Sequence, residues 1–113
     1  MLRLEEQVAN VELSRELKAL GVKQESVFYW VEPEEAGEDW VLTRESKEGQ
    51  FSAFTVAELG EMTKGLDGGG PSYGNQVWWW HKGSKLVEEK TEADARAARL
   101  IHHIRKSDNQ ANA

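Results

Sequence analysis

Three consecutive tryptophans, Trp78-Trp79-Trp80, sit inside a segment whose residues favour extended backbone. Successive side chains of a strand point to opposite faces. Val77, Trp79 and His81 therefore take one face, and Gln76, Trp78, Trp80 and Lys82 the other. A second segment makes the same demand: Val27, Tyr29 and Val31 lie on one side, Phe28 and Trp30 on the other. Both faces of both strands need cover, because a monomer rarely leaves an apolar patch beyond a few hundred square ångströms exposed. Helices can cover one face. The second is covered either by the rest of the chain or by a partner or ligand, for which Trp and Tyr are favoured anchors.

The remaining elements follow from caps, periodicity and punctuation. Asn10 is a good N-cap, and Leu13, Leu17 and Leu20 recur at helical spacing, which predicts a helix over 11–20 closed by Gly21 with Val22 as its apolar contact. Leu4 and Val8 either extend that helix backward or belong to a separate arm. Residues 26–31 and 40–43, joined by an acidic turn with Pro33 and Gly37, read as an antiparallel hairpin. Gly49 ends the next loop, and residues 51–54 form a short extended piece. Thr55 and Glu58 match a capping box, opening a helix over 55–64 that Gly65 stops. Gly60 inside it costs up to about 1 kcal/mol against Ala, which suggests close backbone packing there. Residues 65–74 read as a flexible loop, 75–82 as a strand, Gly83-Ser84 as a tight turn and 85–89 as the returning strand.

Thr91 then caps a helix over 91–106, with Asp94 in the third position of its box. Ala93, Ala97, Leu100, Ile101 and Ile104 form one stripe on it, and Arg96, Arg99 and Arg105 lie off that stripe. The expectation is a single α+β domain over residues 1–107 with a tail at 108–113. Its order is α-β-β-α-β-β-α, with three helices on a mostly antiparallel sheet of about four strands in two hairpins. Leu17, Leu20, Val56, Leu59, Leu100, Ile101 and Ile104 are the expected core.

Composition narrows the function classes. At 113 residues there is room for one domain, and there is no Cys, which removes disulfides, thiolate nucleophiles and Cys-ligated metal sites. The start, Met1 to Glu6, has no apolar secretory segment, and no run approaches the length of a membrane span, so the expected setting is cytoplasmic, without membrane contact. The net charge of -6 is uneven: residues 1–50 hold 12 acids and 6 bases, residues 51–113 hold 8 of each. Phosphate-backbone binding calls for a basic patch, so nucleic acid is disfavoured. The acidic excess either serves solubility or engages a basic partner.

The chemistry-bearing candidates are weak. The loop from Gly65 to Gly74 lacks a following Gly-Lys-Ser/Thr and precedes a strand where a phosphate loop needs a helix. His102 and His103 are about 100° apart on a helix and have no carboxylate at i+4, so no metal or other cofactor is expected. No Ser lies in a Gly-x-Ser-x-Gly elbow. Glu34, Glu35, Glu38 and Asp39 sit in a wet turn, where nothing would shift their pKa values. The chain reads as more suited to binding than to catalysis.

Three stretches carry a resemblance: residues 11–31 (Val-Glu-Leu-Ser-Arg-Glu-Leu through Phe-Tyr-Trp-Val), residues 52–62 (Ser-Ala-Phe-Thr-Val-Ala-Glu-Leu-Gly-Glu-Met) and residues 90–97 (Lys-Thr-Glu-Ala-Asp-Ala-Arg-Ala). The chain resembles a family of small hypothetical proteins of bacteriophages and prophages. The resemblance implies a bacterial or phage setting and assigns no activity, cofactor or catalytic residue.

The resulting expectation is a non-catalytic interaction module acting by protein–protein contact or self-association. Its contact residues are Phe28, Trp30, Trp78 and Trp80, contiguous if their strands are neighbours, with Tyr29 and Trp79 on the opposite side. The alternative is a pocket protein that binds or modifies a small planar or nucleotide-like molecule against the Trp and Tyr rings.

Overall fold

The computed structural model describes residues 3–47, 49–64, 71–74, 77–82 and 85–111. After a 3-10 turn at Leu4–Glu6 come α1 (Val11–Ala19), β1 (Phe28–Val31), β2 (Val41–Thr43) and β3 (Phe51–Ala53). Then follow α2 (Val56–Met62), β4 (Ser72–Gly74), β5 (Val77–Lys82), β6 (Lys85–Glu89) and α3 (Glu92–Ala111). Gly65 to Gly70, Asn75, Gln76, Gly83 and Ser84 lie outside the described residues, and with them the helix stop, most of the glycine-rich loop and the second hairpin turn.

The strands form two antiparallel sheets of three, in the orders β2-β1-β3 and β4-β5-β6. The single sheet of about four strands is thereby corrected. Both predicted hairpins are present, with Tyr29 facing Thr43 and Trp80 facing Val87. Each gains a third strand. The extended piece at 51–54 pairs with β1, and the end of the presumed loop, Ser72–Gly74, pairs with β5.

The helix ends follow their caps. Asn10 accepts from the Leu13 amide at 2.9 Å. Gly21, at φ 89°, ends α1 with bonds from its own amide to Lys18 O and from the Val22 amide to Leu17 O. Thr55 and Glu58 close the capping box of α2 reciprocally, at 3.2 and 2.9 Å. The Asp94 amide donates to Thr91 Oγ1 at 3.1 Å, but the Asp94 carboxylate accepts instead from the Asn10 amide at 2.8 Å, linking the starts of α1 and α3. Residues 7–9 form the separate arm, running beside Phe54–Val56 with Val8 bridged to Thr55. Gly60 departs from expectation: a Cβ built there meets nothing within 4 Å.

Leu17, Phe54, Leu59, Ala93, Ala97, Leu100 and Ile101 form the main core, against which Leu20, Val56 and Ile104 pack while only partly buried. A second cluster of Val8, Trp30 and Ala53 is flanked by Phe28, Trp40, Leu42 and Phe51. Helix α3 packs on α1 and α2 and also on β5 and β6. It therefore needs two covered faces. The predicted stripe supplies one; Ala95, Arg99 and His102, at i, i+4, i+7, supply the other. Ala95 is fully buried, and Arg99, expected off the stripe, is 5% exposed. Burial and the nearby Arg96 both pull the Arg99 pKa below the ordinary guanidinium value. The helix continues past the predicted end at 106 to Ala111, into the segment expected as a tail.

Candidate functional site

The division into two sheets separates the aromatic residues that the sequence grouped. Trp30 and Trp80 are each 5% exposed and belong to different sheets. The Trp30 indole N–H donates to the buried Ala9 carbonyl at 2.9 Å. The Trp80 ring packs against His102 of α3, with centroids 5.8 Å apart, and its N–H reaches Glu89. Tyr29 is buried as well, its hydroxyl accepting from the Ser26 amide. These three rings find their cover within the chain. Trp79, on the opposite face of β5 between Ser72 and Glu88, is half-buried, and its enclosed Nε1 has no acceptor among the described residues.

Phe28 and Trp78 do come together, though not as neighbours in one sheet. Both line a cavity of about 510 Å³, with Leu4 from the 3-10 turn, Gln7 from the arm, and Val56 and Ala57 from the start of α2. A second cavity of about 530 Å³ shares Trp78, Glu6 and Glu92 with the first and adds Glu5, Tyr73, Lys90 and Asp94. The two adjoin across Trp78 as one cleft. Its position follows from topology. Trp78 shares the α3 side of β5 with Trp80, but where Trp80 packs against His102, Trp78 lines the cleft beside Glu92 and Asp94 at the start of α3. Tyr73, directly opposite Trp78 in β4, stacks on it with centroids 5.2 Å apart and rings tilted by 44°. Tyr73 is 62% exposed.

The electrostatics are one-sided. Glu5, Glu6, Glu92 and Asp94 face the Tyr73–Trp78 pair against the single cation Lys90. Glu92 is paired with Arg96 at 2.7 Å, and Glu6 with Arg3 at 3.6 Å. Burial holds the Asp94 carboxyl above its ordinary pKa, against hydrogen bonds from Asn10 and Thr91 that favour its charged form. Glu89 is raised too, first by burial; the Trp80 indole opposes this, and the Asp94 charge adds to it. The helix start, which by itself attracts an anion, is filled by the protein's own carboxylates, so the cleft suits a positive group.

The half-buried rings of Trp40, Phe51 and Phe28 already have cations. Arg15 lies 6.0 Å from the Trp40 ring and 5.5 Å from Phe51, and Lys18 sits 5.4 Å from Phe51. Arg44 covers Phe28 from 5.3 Å. No cation contact of this kind is present at Tyr73 or Trp78 among the described residues. No group of three or more metal-ligating side chains occurs among them either, and none of their helices is long and apolar enough to cross a membrane.

Tyr73 is the residue the sequence reading missed. A three-residue strand that follows Pro71 and ends on Gly74 carries too little periodicity to register, and only its alternation opposite Trp78 would have hinted at it. No protein-family model, no curated protein and no solved structure matches this chain.

Proposed function

We propose that the chain is a non-catalytic interaction module of the phage or prophage type, whose working surface is the cleft at Tyr73 and Trp78. Its partner is a protein segment presenting a Lys or Arg side chain flanked by apolar residues. The carrying observation is the exposed Tyr73 ring stacked on Trp78 amid four carboxylates. A ring pair offers its π faces to a cation, and surrounding carboxylates reinforce the attraction. Phe28 and Val56 in the adjoining cavity offer an apolar seat for the flanking residue. Titration with short peptides pairing Arg or Lys with Leu, followed by calorimetry, tests this. Binding should weaken with salt, and Trp78→Ala should weaken it roughly 30-fold, the scale of a buried aromatic anchor. Wild-type affinity in both Trp78→Ala and Tyr73→Ala, with circular dichroism unchanged, would refute the reading.

A second reading is supported by the size of the cavities, which lies in the range of small-molecule sites. In it the cleft holds a planar organic cation, ring against ring. The carboxylates disfavour a phosphate-bearing nucleotide, which narrows that class to uncharged or cationic bases. Binding of a planar cation with no response to the peptides would select this reading over the first.

A further inference from the structure

Strand β6 has β5 as its one hydrogen-bonded neighbour among the described residues, so its other side is an open sheet edge. Open edges invite pairing with another chain unless something prevents it. The residues of this edge, Lys85-Leu86-Val87-Glu88-Glu89, run from a base to acids. Read against itself in reverse, that order is complementary.

Lys82 faces Lys85 across a two-residue connection, and in such a hairpin the closing pair exchanges both backbone bonds. Lys85, Val87 and Glu89 then spend their amides and carbonyls on β5, while Leu86 and Glu88 direct theirs to the open edge. An antiparallel pairing of two copies must match outward groups with outward groups, so its two-fold axis passes through Leu86, Val87 or Glu88. Centring on Glu88 sets like charges face to face, which is unfavourable. Centring on Leu86 sets Lys85 opposite Val87 and leaves the charges unmatched. Centring on Val87 pairs Leu86 with the partner's Glu88 in both directions, giving two hydrogen-bonded pairs. It also places Lys85 opposite the partner's Glu89 twice, at the positions where cross-strand side chains approach most closely.

We propose that β6 is a self-association edge, through which two copies join their β4-β5-β6 sheets into one continuous six-stranded sheet about a two-fold axis at Val87. Such an interface is closed and isologous, so assembly stops at the dimer. Leu86, 52% exposed in the single chain, gains neighbours on the outer face. Glu89, partly desolvated against Trp80, gains a cation. Tyr73 lies on β4, the opposite edge of the same sheet, so the pairing leaves that ring open and its test is separate from that of the proposed ligand site.

Sedimentation velocity of the full chain over a concentration series tests it, with circular dichroism as the control for folding. The expected result is a concentration-dependent dimer. Lys85→Glu should weaken it about tenfold or more, since two attractive pairs become repulsive, and the double reversal Lys85→Glu with Glu89→Lys should restore it. Leu86→Pro removes an outward-facing amide without touching the β5–β6 ladder, and should yield a folded monomer. A wild-type chain that remains monomeric at every concentration overturns the proposal. So does a dimer indifferent to both the charge reversal and the proline.

Discussion

A methyl group added at Gly49 has nowhere to go. The ideal Cβ position lies 2.2 Å from Tyr29 Cβ and 2.8 Å from Tyr29 Cγ. A flexible side-chain end could move aside, but Tyr29 Cβ is anchored to the backbone of β1, the central strand of its sheet, and the Tyr29 ring is buried. Relief requires shifting Gly49 and Gln50, whose amides are held on Glu45 O and Trp30 O. Overpacking a fitted site typically costs 1–3 kcal/mol, and the backbone-anchored obstacle puts Gly49→Ala at about 3 kcal/mol. For a domain of this size that lowers Tm by about 10–15 °C. Gly60→Ala is the internal control. Its Cβ meets nothing and its helix gains from Ala, so it should stabilise by up to about 1 kcal/mol. Thermal unfolding followed by far-ultraviolet circular dichroism reads both. A Gly49→Ala protein as stable as the parent would refute the close approach of that loop to β1.

Trp30→Phe removes the indole donor to Ala9 O, although Ser14 Oγ still donates to that carbonyl at 3.2 Å; urea unfolding should register a loss of about 1 kcal/mol, less than a wholly orphaned acceptor would give. Leu100→Ala, at the centre of the main core, should cost about 2–5 kcal/mol by the same measurement. Asp94 has a raised pKa in the fold, so the folded state binds its proton more tightly than the unfolded chain, and stability falls as pH rises from the ordinary carboxylate value to the raised one. Asp94→Asn keeps an acceptor for the Asn10 amide and should flatten that part of the stability–pH profile; an unchanged profile would place the proton elsewhere.

What could be read from the residues alone was whatever is decided locally. Asn10, Gly21 and the Thr55–Glu58 pair act on groups within a few residues of themselves, and the structure places each cap as expected. The two hairpins were legible for the same reason, since their partners are adjacent in sequence. Leu17, Leu59, Leu100 and Ile101 were legible as core because helical periodicity marks a buried face wherever the cover comes from. Three things were settled only by contacts between segments distant in the chain. One is the number of sheets: nothing in β1 or β5 says whether they neighbour each other, and each instead takes a short third strand, Phe51–Ala53 or Ser72–Gly74. Another is the burial of Arg99, because the predicted stripe described one face of α3 and the second exists only once the β4-β5-β6 sheet packs there. The last is which aromatic rings stay accessible. Alternation assigns Trp78 and Trp80 to the same face with equal standing. Helix α3 buries Trp80 through His102 and leaves Trp78 to Tyr73 and the cleft, an outcome of where the helix lies on the sheet rather than of any property of the two side chains.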